Sequence, residues 1–109
     1  MPLTREFKEL IKADVERDPE FRLGLFRSAL DALLCNELEM GKALLRAYVN
    51  ATVGFETLAE HMQKDPKSLM RMLSPKGNPR ADNLFAMIAC LKHREGVSLS
   101  LTKTNRSHG

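Results

Sequence analysis

The densest set of side chains with chemistry to offer lies between residues 64 and 80, where Lys64, Lys67, Arg71, Lys76 and Arg80 run with Ser68 and Asn78 among them. All of these are hydrogen-bond donors, and Asp65 is the one carboxylate in the stretch. Ammonium and guanidinium groups suit phosphate oxygens, and a guanidinium also forks onto the two acceptors of a guanine edge. This is a donor set fit to read a nucleic acid. The plainer alternative is a cationic helix face that is merely solvated.

No catalytic set competes with it. The sequence holds no glycine-rich phosphate loop, no HExxH and no cysteines paired at metal spacing, and His61, His93 and His108 are scattered. His61 beside Glu60 reads more simply as a polar residue on a short helix than as a ligand. Nothing assembles a nucleophile, a base and an orienting group. The expectation is a protein that is not an enzyme and takes no cofactor and no metal.

The cations need an element to position them, and DPKSLMRMLSPKGNP over residues 65–79 provides it. Asp65 can act as N-cap, Pro66 suits the first helical position, and Pro75 and Gly77 stop the helix. At 100° per residue Leu69, Met72 and Leu73 share one face, while Lys67 and Arg71 lie near the opposite pole, flanked by Ser68 and Met70. One side is for packing and the other for a partner.

The whole chain bounds what that partner is. With 109 residues, 43% hydrophobic and 28% charged, it fits one soluble domain with a modest core. Residues 1–63 carry eight basic and eleven acidic side chains, whereas residues 64–109 carry nine basic and three acidic ones. A basic half attracts a phosphate backbone or another anionic surface. Cys35 and Cys90 sit in apolar helical runs and read as core thiols, which favours a reducing, cytoplasmic setting. No apolar signal core and no membrane span is visible.

Helical periodicity organises the rest. Phe7, Leu10, Ile11 and Val15 mark a first helix over 4–16, with Thr4 as a possible cap. Asp18 and Pro19 open a second helix whose stripe is Phe21, Leu25, Phe26, Ala29, Leu30, Leu33 and Leu34, ending near Asn36 or Glu37. A third runs from Glu39 to Thr52, and a short fourth, FETLAEHMQ, follows Gly54. After the 65–73 helix, Asn78 and Pro79 start a last one with Leu84, Met87, Ile88 and Leu91 on one face and a stop at Gly96. In VSLSL, Val97, Leu99 and Leu101 alternate with serines, the period of a half-buried strand. Such a strand needs a pairing edge, and no other segment offers one, so a second chain is its expected partner.

The short helix at 55–62 is separated from the next by only Gln63, Lys64 and Asp65, which is helix-turn-helix spacing. In such a unit Leu58, Ala59 and Met62 pack across the second helix, and Lys67, Ser68 and Arg71 face a major groove as readers. Lys64, Lys76 and Arg80 then flank them as phosphate contacts. Asn78 is first a helix cap and second a phosphate donor. Thr57 can donate to a phosphate, whereas its neighbour Glu56 would be repelled by one.

Across residues 38–101 the sequence resembles the HigA-type antitoxins, addiction-module antidote proteins of the lambda-repressor-like helix-turn-helix class. The resemblance rests on Leu58-Ala59, Lys67-Ser68-Leu69, the run from Leu73 to Pro79 and the closing Gly96-Val97. RDPEFRLGLFRSAL in the N-terminal part also looks like the arm of one branch of these regulators. The resemblance implies a transcriptional repressor that binds its own operator as a homodimer and neutralises a toxin of the RelE/HigB class. Two departures stand out. Gln63 occupies the turn where many relatives have glycine, and Lys64 stands where they often bury an aliphatic residue.

The expected fold is thus all-α. It has about six helices, a helix-turn-helix unit and a short C-terminal strand at Val97, Leu99 and Leu101 that serves a dimer or partner interface. Residues 1–37 form an N-terminal helical arm, 38–101 the DNA-binding domain, and 102–109 a disordered tail. The expected partners are double-stranded operator DNA, a second copy of the chain and a toxin, with no membrane. A rival reading is a helical protein-interaction module using Met70, Met72 and the strand, and a third is a plain regulator without a toxin.

Overall fold

The computed structural model describes residues 5–104. Within them the chain forms six α-helices: α1 (Arg5–Arg17), α2 (Pro19–Leu34), α3 (Leu38–Ala51), α4 (Phe55–Met62), α5 (Pro66–Met72) and α6 (Ala81–Glu95). Thr4, the cap expected for α1, lies outside the described residues. Asp18 caps α2 as its sequence suggests, its carboxylate accepting the Glu20 N–H at 3.0 Å just ahead of Pro19. Three helix ends close alike, through a left-handed residue followed by a 6→1 backbone bond. These are Asn36 with Glu37 N–H to Ala32 O, Gln63 with Lys64 N–H to Ala59 O, and Gly96 with Val97 N–H to Lys92 O.

One core joins α2 through α6. Phe26, Ala29 and Leu30 of α2 meet Leu45, Tyr48 and Val49 of α3, Phe55, Leu58 and Ala59 of α4, Leu69 and Leu73 around α5, and Met87, Ile88 and Leu91 of α6. Gly41 lets α3 lie close to α2, since a Cβ there would stand 2.5 Å from Leu33 Cδ2. Phe26 and Tyr48 stack with ring centroids 4.9 Å apart. The Tyr48 hydroxyl donates to Glu95, whose carboxylate also receives Arg22 Nε at 3.0 Å, so one network pins α2, α3 and α6. Burial, then the hydrogen bond and negative charge of Glu95, push the Tyr48 hydroxyl well above its ordinary range, against a smaller opposing effect of Arg22 and Arg94.

Several expectations are corrected. Residues 97–104 form neither helix nor strand, and no strand occurs among the described residues. Val97 is half-buried against the core, but Leu99 and Leu101 are exposed. The reason is that an extended segment without a pairing edge has nowhere to place its ladder bonds, and this helical chain supplies none. The last helix begins not at Asn78-Pro79 but at Ala81, with Arg80 at its N-cap and no side-chain cap bond. Cys35 is exposed, not a core thiol, because it lies at the end of α2, and both cysteines are free. Leu34 is 81% exposed, since it points outward from the last turn of α2, whose Ala32 and Leu33 take the inward side. Of the tail, residues 105–109 lie outside the described residues.

Candidate nucleic-acid interface

The two short helices are built around small and apolar contacts. Leu58 and Ala59 of α4 are buried against the core that also takes Leu69 of α5 and the following Leu73. Between them Gln63 adopts φ 56°, ψ 48°. A side chain in this left-handed region costs about 1 kcal/mol relative to glycine. The turn therefore keeps a glycine-like backbone despite its glutamine, held by the 2.9 Å bond from Lys64 N–H to Ala59 O. Lys64 itself is exposed, which is what its ammonium requires.

Asp65 occupies the N-cap of α5 with extended backbone, but its carboxylate makes no cap bond. Its carbonyl instead accepts from Ser68 and Leu69 N–H, at 3.0 and 3.2 Å. Leu69 and Leu73 face inward and Met72 is half-buried, leaving Lys67, Ser68, Met70 and Arg71 outside, as the helical spacing predicts.

What fixes the exit of α5 is a feature the sequence reading missed. Lys42 of α3 is 1% exposed, and its ammonium donates to Ser74 O at 3.0 Å, Gly77 O at 2.6 Å and Pro75 O at 3.4 Å. Glu39 Oε2 balances its charge at 3.1 Å. One turn on, Arg46 donates to Leu73 O at 3.0 Å. Two cations of α3 thus satisfy carbonyls left open where α5 ends and hold the 74–77 turn. Gly77 completes the fit: a Cβ there would lie 2.0 Å from Arg71 O and 2.9 Å from Met72 O, so only glycine seats this turn on the end of α5. The sequence signal was a lysine set between the inward positions Gly41 and Leu44 of α3, which periodicity alone reads as solvated.

The held turn brings scattered residues together. Lys64, Ser68, Arg71, Lys76, Asn78 and Arg80 line one open groove of about 630 Å³, with Gln63, Asp65 and Asn83 also on its walls. Four cations face it against a single carboxylate. Each of the six is solvent-exposed, so none is committed to the core. Arg80 also pairs with Asp82 at 3.3 Å, an exposed contact of small worth. Thr57 and Lys67 are exposed but do not line this groove. Val97 and Leu99 lie elsewhere, beside Leu23, Phe26, Arg27 and Leu30 of α2, and Leu101 points free.

Chemically the groove offers donors at several heights to an anionic, acceptor-rich ligand, and no nucleophile–base pair. Among the described residues no group of three or more His, Cys, Asp or Glu side chains stands together to hold a metal. No helix among them is long and apolar enough to cross a membrane. Compared with known proteins, the chain matches no family model, no curated protein and no solved structure.

Proposed function

We propose that the protein is a sequence-specific repressor that binds double-stranded DNA through α4 and α5, used as a helix-turn-helix. The observation that carries this reading is the gathering of Lys64, Ser68, Arg71, Lys76, Asn78 and Arg80 around one open groove beside the exposed face of α5. In this reading α5 enters the major groove, with Lys67, Ser68 and Arg71 toward base edges. Lys64, Lys76, Asn78, Arg80 and, on α4, Thr57 contact phosphates and fix the register. Residues 97–101 pair with a second chain, and the dimer reads a two-fold operator.

The resemblance to HigA-type antitoxins extends the proposal to an autoregulated operon and a RelE/HigB-like toxin partner. A short adjacent reading frame of RelE-like composition supports that extension, and its absence leaves a plain transcriptional regulator.

The test is a titration against a duplex selected from a random library and a scrambled duplex of the same composition, at several salt concentrations. Tighter binding of the selected duplex, with log affinity falling linearly as log salt rises, is the expected result. Equal, salt-insensitive or absent binding overturns the reading and leaves a protein-interaction module.

A further inference from the structure

The three helix ends that close through a left-handed residue do so with side chains that are not alike. Asn36 closes α2 at φ 64°, Gly96 closes α6 at φ 70° and Gln63 closes α4 at φ 56°. Glycine takes this conformation freely, and asparagine tolerates it because its short polar side chain bonds locally. Glutamine has neither property. So α4 ends on a strained residue where asparagine and glycine serve the other two helices, although glycine would close the same turn at lower cost. Strain of this kind, when a chain keeps it, points to a use for the side chain.

Position separates the three. Gln63 lines the basic groove with Lys64, Ser68 and Arg71, whereas Asn36 and Gly96 do not. It is exposed, and its carboxamide makes no hydrogen bond among the described residues. The turn is closed by backbone alone, through Lys64 N–H to Ala59 O, so the amide is not needed to hold it. What glutamine brings that glycine lacks is a free carboxamide, a donor beside an acceptor, on the wall of the groove. The four cations there already suit phosphates, and a neutral amide adds little to their attraction for a polyanion. An amide matches instead a partner that sets an acceptor beside a donor, which in the major groove of duplex DNA is adenine N7 with its N6 amino group. We propose that Gln63 is a specificity-determining residue whose carboxamide reads an adenine edge. The proposal rests on the DNA-binding reading of α4 and α5, and adds to it a base contact made from the turn.

Gln63→Gly in the full chain is the decisive variant, since it removes the amide and relaxes the backbone. Its stability and its DNA binding are expected to move in opposite directions. The urea midpoint should rise by about 0.5 M. Affinity for the selected duplex should fall about tenfold, while affinity for the scrambled duplex changes less than about twofold. At one adenine of the selected duplex, replacement by 7-deazaadenine, which lacks the N7 acceptor, should weaken the unaltered protein about fivefold and leave Gln63→Gly unaffected. Gln63→Met keeps the length and the strained backbone without the amide, and should show the same loss on the selected duplex with no gain in midpoint. The proposal is overturned if Gln63→Gly weakens both duplexes alike, which marks a phosphate contact, or if either variant binds the selected duplex as tightly as the unaltered chain. It is also overturned if the midpoint of Gln63→Gly falls, which marks a side chain that holds the turn. Failure confined to these variants leaves the DNA-binding reading standing; an unaltered chain that does not distinguish the two duplexes overturns that reading and this assignment with it.

Discussion

The helix α3 builds two surfaces that differ in how completely they are satisfied. On one side Lys42 and Arg46 reach the end of α5, and the carbonyls of Leu73, Ser74 and Gly77 each receive a cationic donor within 3.0 Å. On the other side Met40, Ala43, Leu44 and Ala47 meet α1 and α2 across a trough that stays open. A buried ammonium must be fully partnered, so Lys42 locks the turn it touches into one geometry. Apolar side chains make no such demand and can stay half-wet at modest cost. The contrast shows where the fold spends its rigidity: on the turn that sets Lys76, Asn78 and Arg80 relative to α5, not on the packing of α1.

The strongest way to break the clamped side is Gly77→Ala. Its φ is not positive, so backbone strain is not the issue. The obstacle is space, because the new Cβ would meet the Arg71 and Met72 carbonyls, which are backbone and cannot swing away. A loss of about 3 kcal/mol in urea unfolding at constant slope is expected, with duplex affinity lost alongside. A loss below about 0.5 kcal/mol would mean the turn does not sit on the end of α5.

Lys42→Met keeps the bulk of the side chain and removes the donor. Leaving buried carbonyls without it costs about 1–3 kcal/mol, offset in part because an ammonium no longer has to be desolvated. About 2 kcal/mol of destabilisation is expected. Met40→Lys, equally close to the N-terminus of α3 but on the open side, should change stability by less than about 0.5 kcal/mol. Comparable losses at both positions would erase the distinction between the two surfaces.

Within the clamped side, base reading and phosphate positioning separate by their signatures. Arg71→Ala should cost about 1–3 kcal/mol on the selected duplex and relax preference at one base position. Lys76→Ala should weaken selected and scrambled duplexes alike and flatten the salt slope by about one unit. Unchanged binding of both variants to both duplexes removes the assigned roles.

How much of this could be read beforehand follows from the physics of each residue. Asp18-Pro19, Asp65-Pro66 and Gly96 announce helix boundaries because local backbone chemistry decides them, and each falls within a residue of its expected place. Gln63 was legible as an anomaly, but its left-handed conformation is imposed by the closing bond of α4. Lys42 was not legible, since its burial depends on carbonyls more than thirty residues away. Asn78 misled for a related reason: held turns outrank capping preference, and α6 starts only after the loop has crossed the end of α5. Of the expected DNA contacts, all but Thr57 and Lys67 line the groove, because that same turn carries Lys76, Asn78 and Arg80 back beside α5.

Tyr48 gives a pH-dependent view of the junction above α3. Because its folded hydroxyl titrates above the ordinary value of about 10, the folded state holds a proton that the unfolded chain has released. Stability therefore has no dependence on this group below about pH 10 and falls as pH rises from there through the folded value. Tyr48 is the sole tyrosine, so absorbance of the phenolate follows it directly. Tyr48→Phe should cost about 1 kcal/mol and remove that alkaline slope, without altering the groove. A slope that survives the substitution assigns it to lysines instead.

The smallest effect on folding is expected from removing the exposed segment that forms neither helix nor strand. Truncation after Val97 keeps the half-buried Val97 and its N–H bond to Lys92 O at 3.3 Å, and deletes residues that contribute exposed leucines. Stability should change by less than about 0.5 kcal/mol. Assembly is another matter. VSLSL reads the same in both directions by polarity, so two copies paired antiparallel about Leu99 set Val97 opposite Leu101 and every serine on the other face. The truncated chain is accordingly expected to be monomeric by light scattering at concentrations where the full chain is dimeric. If it stays dimeric but loses a toxin partner, the segment serves that interface instead. If neither property changes, residues 97–101 are not a partner-seeking strand.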